Sequence, residues 1–344
     1  MCVLREVSIG NEVSKCYLKN VKKPENSAKN FGNFHSFSSI FTHPCVSYAP
    51  NVEEGGSSDY QIARHVLLAH ARAYHLYHSE LNLPGKVGIT LNMDYSFPRN
   101  EYKAMDWVAR ERELQFTGGW WANPVYVDGN WPEMMIYSNE NRQEKITLPE
   151  LSASEQAEIL GTSDFFGLNH YTSRYLSPDT GVKSDDHTYF GDKGTVQTED
   201  KTNEVEWEWD VHVPEGLYEL LKYVDTKYSP KEILITENGN AEPAEWNQMR
   251  DVGRVRYMME YLSGVHKAIE EGVNVVGYTM WSLMDNFEWS EGYSARFGLL
   301  HVDFNSASRT RTPKQSFYCY QEIVANNYVA VSLMALTTGE PVFI

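Results

Sequence analysis

The chain has 344 residues, of which 42% are hydrophobic and 22% charged, and this composition excludes disordered and fibrous proteins. The net charge of −17 argues against nucleic acid or an anionic membrane as the main partner, because both bind basic surfaces. No stretch approaches 18 consecutive apolar residues, so no membrane span is expected. The N-terminus lacks an apolar core of signal-peptide length, and we therefore expect a cytoplasmic protein.

Predicted helices and strands alternate along the chain from residue 59 onward. The apolar spacing predicts helices over 59–80, 99–117, 215–228, 251–271 and 314–327, with Asp59 and Asp251 as N-caps. Continuous apolar runs predict strands at 86–92, 164–169, 232–237 and 274–281. A Trp-rich loop is expected around Trp120, Trp121 and Trp131, and a polar and aromatic excursion over 171–213. Residues 1–44 lack this periodicity, and we expect an unrelated leader of uncertain structure there, before one domain over 45–344.

The helical spacing also predicts which side chains face the core. In the first helix the predicted inner stripe is Ile62, Val66, Ala69, Ala73 and Leu76. In the last helix it is Phe317, Tyr320 and Val324.

Strict alternation of strand and helix predicts parallel strands joined by right-handed crossovers. A doubly wound sheet and a (β/α) barrel both fit this order. Two features favour the barrel, the first being that no glycine-rich phosphate loop follows any strand. The second is that polar or aromatic residues end the strands, namely Asn92, Asn169, Glu237 and Trp281, and this is the end of a barrel that carries the chemistry.

Glu237 is the first candidate for a chemical role. The sequence ITENG puts its carboxylate at the end of a strand, before a turn formed by Asn238 and Gly239. A carboxylate in that position points into the barrel mouth and is held by rigid backbone. A strand-end glutamate in a surface salt bridge would give the same local pattern.

The loop WSLMDNFEWSEGYSARFG (281–298) is the second candidate. It places Trp281 and Trp289 among polar residues, namely Asp285, Asn286, Glu288, Glu291 and Arg296. Rings beside hydrogen-bond acceptors suit a sugar site, because the ring covers the C–H face and carboxylates accept from the hydroxyl groups. A structural loop anchored by its aromatic residues remains the alternative.

The sequence NHYTS (169–173) is the third candidate. Asn169 and Tyr171 lie at the same mouth if the strands are arranged in sequence order. The Tyr171 hydroxyl could then donate to Glu237 and keep that carboxylate ionised. The alternative is a buried tyrosine bonded only to backbone.

These motifs together resemble glycoside hydrolase family 1, which contains β-glucosidases, lactase and myrosinases. The resemblance rests on ITENG, WSLMDNFEW, GYSARFGLLHVDF and the R-x-PK-S pattern of Arg311, Pro313, Lys314 and Ser316, and on the upstream segments FTGGWWANPVYVDGNWPEMM and DFFGLNHYTS. It covers about residues 45–328. It implies an α/β fold of the (β/α)8 TIM-barrel type and a hydrolysis that retains anomeric configuration.

The resemblance also implies roles for single residues. Glu237 is expected to be the nucleophile, and Glu288 the carboxylate that grips sugar hydroxyl groups. Trp289 is expected to be another hydroxyl partner and Trp281 the stacking platform. Asn169 and Tyr171 are expected to support the nucleophile. The implied ligand is a small-molecule β-glycoside, with no cofactor and no metal.

One part of the family pattern is absent. Retaining hydrolysis needs a second carboxyl group as acid/base, which the family carries in an Asn-Glu-Pro motif shortly before a segment resembling CVSYAPN (45–51). That motif is not in this sequence, and no glutamate lies between Asn26 and Asn51. The four predicted strands match strands five to eight of the barrel, and 44 residues cannot hold four βα units of about 30 residues each. We therefore expect an incomplete barrel.

Two functions of different classes follow from this pattern. The first is a β-glycosidase, and the second is an inactive fragment or pseudoenzyme that binds sugar weakly or not at all. A different barrel enzyme that uses Glu237 with a metal is disfavoured, because no HxxxH or HxH pair lies near the strand ends. The open edges of an incomplete barrel would also allow self-association.

Overall fold

A computed structural model describes residues 57–140, 148–179, 189–198, 212–244, 249–327 and 329. The predicted leader over 1–44, the boundary that follows it and the segment 45–51 lie outside these residues.

Helices and strands alternate through the described residues. The helices are α1 (Ser57–His75), α2 (Ala104–Leu114), α3 (Trp120–Tyr126), α4 (Glu133–Glu140), α5 (Ala153–Ile159), α6 (Tyr189–Lys193), α7 (Pro214–Tyr228), α8 (Val252–Glu270) and α9 (Gln315–Asn326). The strands are β1 (Ile89–Asn92), β2 (Tyr95–Pro98), β3 (Phe166–Asn169), β4 (Ser173–Pro178), β5 (Thr195–Thr198), β6 (Ile233–Asn238), β7 (Glu242–Pro243), β8 (Val275–Met280), β9 (Ala295–Arg296), β10 (Leu300–Val302) and β11 (Arg311–Pro313).

A four-stranded parallel sheet forms the centre of the fold. Its order is β1-β3-β6-β8, so the four strands predicted from apolar runs lie side by side in chain order. Helices connect successive strands, which is the parallel arrangement expected of a (β/α) barrel. Leu91, Phe166, Leu168, Ile233 and Ile235 are buried in the main core that this sheet shares with the helices.

The predicted excursion over 171–213 contains further regular structure where it is described. β4 pairs with β2 in parallel and with β5 in antiparallel orientation, which makes a second, three-stranded sheet. Two small antiparallel pairs, β7 with β9 and β10 with β11, form where the chain leaves β6 and β8.

The first part of the predicted Trp-rich loop is helical, whereas Trp131 lies in the connection between α3 and α4, as predicted. The turn Gln115–Gly119 is a π-helix that joins α2 to α3, and Trp120 and Trp121 are buried. The Trp120 ring lies 5.1 Å from that of Tyr60 and 5.3 Å from that of Tyr189. This packing outweighs the cost of Gly118 and Gly119 in a helix, which is about 1 kcal/mol each.

The most buried stripes are rotated by about one residue from the predicted ones, of which Val66, Phe317 and Tyr320 are partly buried against the core. In α1 the buried residues are Tyr60, Ala63, Leu67, Leu68 and Ala71, whereas Leu76 is exposed. In α9 the most buried residues are Ser316, Cys319 and Ile323. Both observed stripes also have steps of three and four, and they include small or polar residues that an apolar pattern does not select.

None of the helices in the described ranges is both long and apolar enough to cross a membrane.

Candidate active site

The carboxyl ends of three neighbouring strands bring polar side chains into one row. Asn92 on β1 pairs in register with Asn169 on β3, and Asn169 pairs with Glu237 on β6. Asn169 is fully buried, while Asn92 and Glu237 are half-buried. The row lies at the end of the sheet where parallel α/β folds bind their ligands.

An irregularity in β6 sets the position of Glu237. The register shifts where Leu168 pairs with Ile235 but Asn169 pairs with Glu237, so one extra residue, Thr236, is accommodated on β6. The Thr236 hydroxyl donates to Oδ1 of Asn169 at 2.6 Å. A bulge of this kind changes the direction of the side chains beside it. Here both Thr236 and Glu237 lie next to Asn169.

Tyr171 contacts Glu237 directly. Its hydroxyl donates to Oε2 of Glu237 at 2.5 Å, which is the hydrogen bond predicted from the sequence. Burial, followed by the negative charge of Glu237, raises the pKa of Tyr171 well above its ordinary value, so the hydroxyl stays protonated and acts as a donor. The backbone of Tyr171 is held by the Tyr257 hydroxyl, which donates to its carbonyl oxygen at 2.6 Å.

Asn238 fixes the backbone that carries Glu237. It is fully buried, and its Nδ2 donates to the carbonyl oxygen of His170 at 2.7 Å. Its Oδ1 accepts from the Tyr278 hydroxyl, also at 2.7 Å. The next residue is Gly239, where an added Cβ would lie 2.0 Å from the carbonyl oxygen of Trp281. The chain after Glu237 therefore needs glycine to pass the end of β8.

Glu288 reaches the site from the loop after β8. The indole N–H of Trp281 donates to its carboxylate, and the charges of Glu288 and Glu237 interact. Burial, followed by the nearby charges of Glu237 and Glu291, raises the pKa of Glu288, and the bond from Trp281 opposes that change. The structure thus brings Glu237, Glu288, Trp281 and Tyr171 together.

Trp289 lies at the rim of this group. It begins the short 3-10 helix Trp289–Glu291, and 54% of its surface is exposed. Phe287 and Tyr293 are exposed beside it, with ring centroids 5.3 Å apart. The loop therefore presents aromatic surface to solvent next to Glu288.

Two of the polar residues in the loop 281–298 do not face Glu237. Asp285 is buried, and its carboxylate accepts from Lys314 Nζ at 3.1 Å, from the Gly298 N–H at 3.0 Å and from Arg296 at 3.4 Å. Burial lowers the pKa of Lys314, and the charge of Asp285 opposes this. Asp285 and Arg296 therefore stabilise the loop that carries Glu288. For these two residues the structure favours the interpretation of 281–298 as a structural loop over a direct role in ligand binding.

Asp251 occupies the predicted N-cap position of α8, but its carboxylate does not cap the helix, and Asp59, the other predicted N-cap, lies within the first turn of α1. The Asp251 side chain makes no N-cap bond to α8 and instead accepts from the Ser316 N–H at 2.9 Å and from Arg254 Nε at 2.9 Å. The carboxylate is buried, and these charged and polar partners outcompete the helix N–H groups.

Sequence reasoning missed the centre of this network, which is Arg254. The side chain is fully buried in α8 and donates to the carbonyl oxygens of Asn240, Arg296 and Phe297, the last two at 2.8 and 3.1 Å. It thereby joins the turn after Glu237 to the loop that carries Glu288. The available signal was a lone arginine on the otherwise apolar face of a predicted helix.

Asp94 was also missed. It lies two residues after Asn92, it is exposed, and its charge adds to the effects that raise the pKa of Tyr171. An acidic residue just past a strand end is the signal that selected Glu237.

No group of three or more His, Cys, Asp and Glu side chains in the described part of the chain is arranged to hold a metal ion. His170, the histidine nearest the site in sequence, is buried with Nδ1 2.9 Å from the carbonyl oxygen of Met93, and burial lowers its pKa.

This geometry suits a hydroxylated ligand with an electrophilic carbon. Glu237 offers a carboxylate held by a donor, Glu288 offers an acceptor for hydroxyl groups, and Trp281 offers a ring face. The roles assigned to these residues and to Trp289 and Asn169 remain predictions.

Comparisons with known proteins agree on one family. The family model described as glycosyl hydrolase family 1 matches residues 28–329. The human lactase-like protein is 36% identical over 288 residues, which are 81% of this chain and 51% of that protein. Myrosinase 1 of Brevicoryne brassicae is 36% identical over 293 residues, which are 81% of this chain and 61% of that protein.

Solved structures give the same result. An aphid myrosinase superposes with a TM-score of 0.74 at 33% identity, over 82% of this chain and 63% of its own. A β-glucosidase from Trichoderma harzianum superposes with a TM-score of 0.72 at 32% identity, over 84% of this chain and 64% of its own. These neighbours are TIM-barrel enzymes, and the chain has their fold over this region. It spans about one half to two thirds of the length of these relatives.

Proposed function

Because the chain belongs to glycosyl hydrolase family 1, we propose that it is a β-glycosidase by descent, with β-glucosides as ligands and Glu237 as the nucleophile. The β-glucosidases and myrosinases among its relatives support a glycoside as the ligand. We expected an unrelated leader over residues 1–44, but residues 28–44 lie within the stretch that the family model matches. The domain boundary at residue 44 stays a prediction.

The observation that carries this proposal is the hydrogen bond from Tyr171 to Glu237. A carboxylate nucleophile must be ionised and must be held in place, and a protonated tyrosine at 2.5 Å favours both. A strand-end glutamate in a surface salt bridge would not need a half-buried tyrosine as its partner.

In the proposed site, Glu237 attacks the anomeric carbon and forms a glycosyl-enzyme ester while the leaving group departs. Glu288 accepts hydrogen bonds from sugar hydroxyl groups, with Trp281 holding its carboxylate in place. Trp281 also provides the ring face for stacking, Trp289 is a further hydroxyl partner at the rim, and Asn169 supports the nucleophile through its contact with Thr236.

Sugar binding without efficient turnover is a second candidate function. One observation favours it, which is that the sequence contains no Asn-Glu-Pro. A general acid contributes about 10²–10⁴-fold to such a reaction. We propose that these 344 residues alone react poorly with glycosides whose leaving group needs protonation.

A covalent labelling experiment tests the nucleophile. The full chain is incubated with 2,4-dinitrophenyl 2-deoxy-2-fluoro-β-glucoside, whose leaving group needs little acid assistance, and the product is analysed by peptide mass spectrometry. We expect one fluoroglucosyl group on the peptide that contains Glu237, and none in Glu237→Gln. Glu270→Gln, an exposed change on α8, is the control and should label like the parent. No labelling, or labelling elsewhere, would refute the proposal.

Turnover distinguishes the two candidates. Hydrolysis of an ordinary aryl β-glucoside slower than that of its dinitrophenyl analogue by about 10²-fold or more supports a site without its own acid. Similar rates for both would mean that a carboxyl group of this chain acts as the acid/base.

The ligand class is thus a small-molecule β-glycoside. Three statements stay predictions from the sequence. They are that the chain uses no cofactor, that it does not bind nucleic acid and that it is cytoplasmic. We also propose self-association through the outer strands of the sheet.

A further inference from the structure

A buried hydroxyl group of α8 joins the ends of two neighbouring strands. Tyr257 lies in the first half of this helix and is 1% exposed. Its hydroxyl donates to the carbonyl oxygen of Tyr171 at 2.6 Å and accepts from Nδ2 of Asn238 at 2.9 Å. Tyr171 follows β3 and Asn238 is the last residue of β6, so the Tyr257 hydroxyl bridges the two strand ends.

The position of Tyr171 depends on this bridge because Tyr171 lies beyond its strand. β3 ends at Asn169, and the next residue, His170, still bonds through its N–H to the carbonyl oxygen of Glu237 at 3.0 Å. The carbonyl oxygen of Tyr171, one residue further on, accepts from Tyr257 instead. The backbone from which the Tyr171 hydroxyl reaches Glu237 is therefore held by a helix.

Asn238, at the other end of the bridge, is fixed by its remaining contacts. Its Nδ2 also donates to the carbonyl oxygen of His170 at 2.7 Å, and its Oδ1 accepts from the Tyr278 hydroxyl at 2.7 Å. Both hydrogens of Nδ2 and the oxygen Oδ1 thus have partners, which holds the amide in one orientation. Because Asn238 directly follows Glu237, the Tyr257 hydroxyl is one hydrogen bond away from the residue next to the carboxylate.

The Tyr257 ring is itself held by packing. It stacks on the ring of Tyr261, one helical turn later, with centroids 4.0 Å apart and an angle of 17° between the planes. Burial raises the pKa of Tyr257 well above its ordinary value, and burial also raises those of Tyr261 and Tyr278, so these hydroxyl groups stay protonated. The titratable side chains around the bridge and the bond to Glu237 further include Tyr171, Glu237, Glu288, Asp94 and His212.

We propose that Tyr257 is a positioning residue that sets the hydrogen bond between Tyr171 and Glu237. This inference rests on the proposed function, in which Glu237 is the nucleophile. A side chain on a helix is held more precisely than one on a loop, which suits it to fix Tyr171 beyond the end of β3. Loss of the Tyr257 hydroxyl should therefore make Glu237 less reactive and leave binding of the ligand largely unchanged.

Labelling kinetics with 2,4-dinitrophenyl 2-deoxy-2-fluoro-β-glucoside test this role. Tyr257→Phe keeps the ring and removes the hydroxyl. We expect the labelling rate constant at saturation to fall by roughly three- to tenfold, as for loss of one hydrogen bond, with the half-saturating concentration within about twofold of the parent value. The acid limb of the pH profile should move to higher pH, since a displaced Tyr171 hydroxyl stabilises the ionised Glu237 less.

Two further tyrosine variants serve as controls. Tyr261→Phe removes a hydroxyl that donates to the same carbonyl oxygen of Tyr171 at 3.2 Å but leaves the bridge to Asn238 in place, so it should slow labelling less than Tyr257→Phe. Tyr218→Phe removes a hydroxyl that donates to Glu271 at 2.8 Å and should label like the parent. Equal slowing by all three changes would overturn the inference.

A double-mutant cycle separates positioning from a general loss of stability. If Tyr257 acts through the Tyr171 hydroxyl, adding Tyr257→Phe to Tyr171→Phe should slow labelling by less than about twofold. Full additivity of the two changes would overturn the inference. An unchanged rate and pH profile in Tyr257→Phe alone, or a raised half-saturating concentration at an unchanged rate, would overturn it as well.

A second variant covers the case in which Tyr257→Phe does not fold. Asn238→Ala removes the other end of the bridge and leaves the Tyr257 hydroxyl in place, so it should also slow labelling and move the acid limb to higher pH. A rate and profile like those of the parent would contradict the proposed role. A parent chain that is not labelled at Glu237 would refute the proposed function and this inference with it, whereas a labelled parent with no slowing in Tyr257→Phe would refute this inference alone.

Discussion

The Tyr171 hydroxyl donates to the Glu237 carboxylate at 2.5 Å, although the two residues are 66 positions apart in the chain. Tyr171 follows the end of β3 and Glu237 lies near the end of β6, and these strands are direct neighbours in the sheet. Their contact therefore follows from the parallel, in-order arrangement of the strands, and it joins the two parts of the site that the sequence suggested separately.

Tyr171→Phe should reduce the reactivity of Glu237. A hydrogen bond to a charged group contributes about 1.5–3 kcal/mol, so we expect labelling by the activated fluoroglucoside to slow by roughly 10–100-fold. The bond also favours the ionised carboxylate, and its loss should move the acid limb of the labelling profile to higher pH. Unchanged rates and an unchanged profile would mean that the contact has no part in reactivity.

The fold and the main site residues could be predicted because they depend on local patterns. Continuous apolar runs gave the four central strands, and ITENG and NHYTS placed polar residues at their carboxyl ends. Arg254 and the buried side of Asp285 could not be predicted in this way, because their partners are carbonyl oxygens and charges contributed by distant segments. The helical Trp120 was misassigned for a related reason, since its packing against Tyr60 and Tyr189 is tertiary.

Glu288→Gln should stabilise the chain at neutral pH. The raised pKa of Glu288 means that the folded chain holds this proton more tightly than the unfolded chain, whose value is near 4.5. Stability is therefore lost as the pH rises above 4.5 and through the folded value, and the cost is fully present above that value. Glutamine removes the charge, so we expect the melting temperature to rise by roughly 2–4 °C at neutral pH.

The pH dependence of the melting temperature distinguishes the removal of the Glu288 charge from other effects of the substitution. The difference between Glu288→Gln and the parent should shrink toward zero as the pH falls well below 4.5, because Glu288 is then neutral in both the folded and the unfolded chain. Glu270→Gln on the exposed face of α8 is the control and should leave the melting temperature within about 1 °C of the parent value at neutral pH, because exposed ion pairs contribute about 0–1 kcal/mol. Differential scanning fluorimetry from acidic to neutral pH measures the melting temperatures of the parent and the two variants. A variant that is less stable at neutral pH would contradict the assignment.

Arg254→Ala should be strongly destabilising. Its removal leaves the buried Asp251 carboxylate without its charged partner and takes the guanidinium donor from three carbonyl oxygens. Breaking a buried pair costs about 3–5 kcal/mol, so we expect the melting temperature to fall by about 10 °C. Arg256→Ala on the same helix is the matched control, because its bond to Glu260 is exposed and contributes about 0–1 kcal/mol. Equal effects of the two changes would refute the role of Arg254.

Self-association is expected from the outer strands of the central sheet. In the part of the chain that the structure describes, β1 and β8 each pair with one neighbour only, so each carries a row of N–H and C=O groups without a strand partner. Such edges pair with other chains, and a net charge of −17 slows the encounter without satisfying these groups. We expect light scattering to give the mass of a dimer or a larger species.

Thr279→Lys places a charge on the exposed face of β8 and should raise the monomer fraction, since lysine on an edge strand opposes pairing. Thr310→Lys, exposed before β11, carries the same charge away from the sheet and should leave the mass unchanged. A monodisperse parent monomer with one sharp thermal transition would show that these edges are covered within the chain itself.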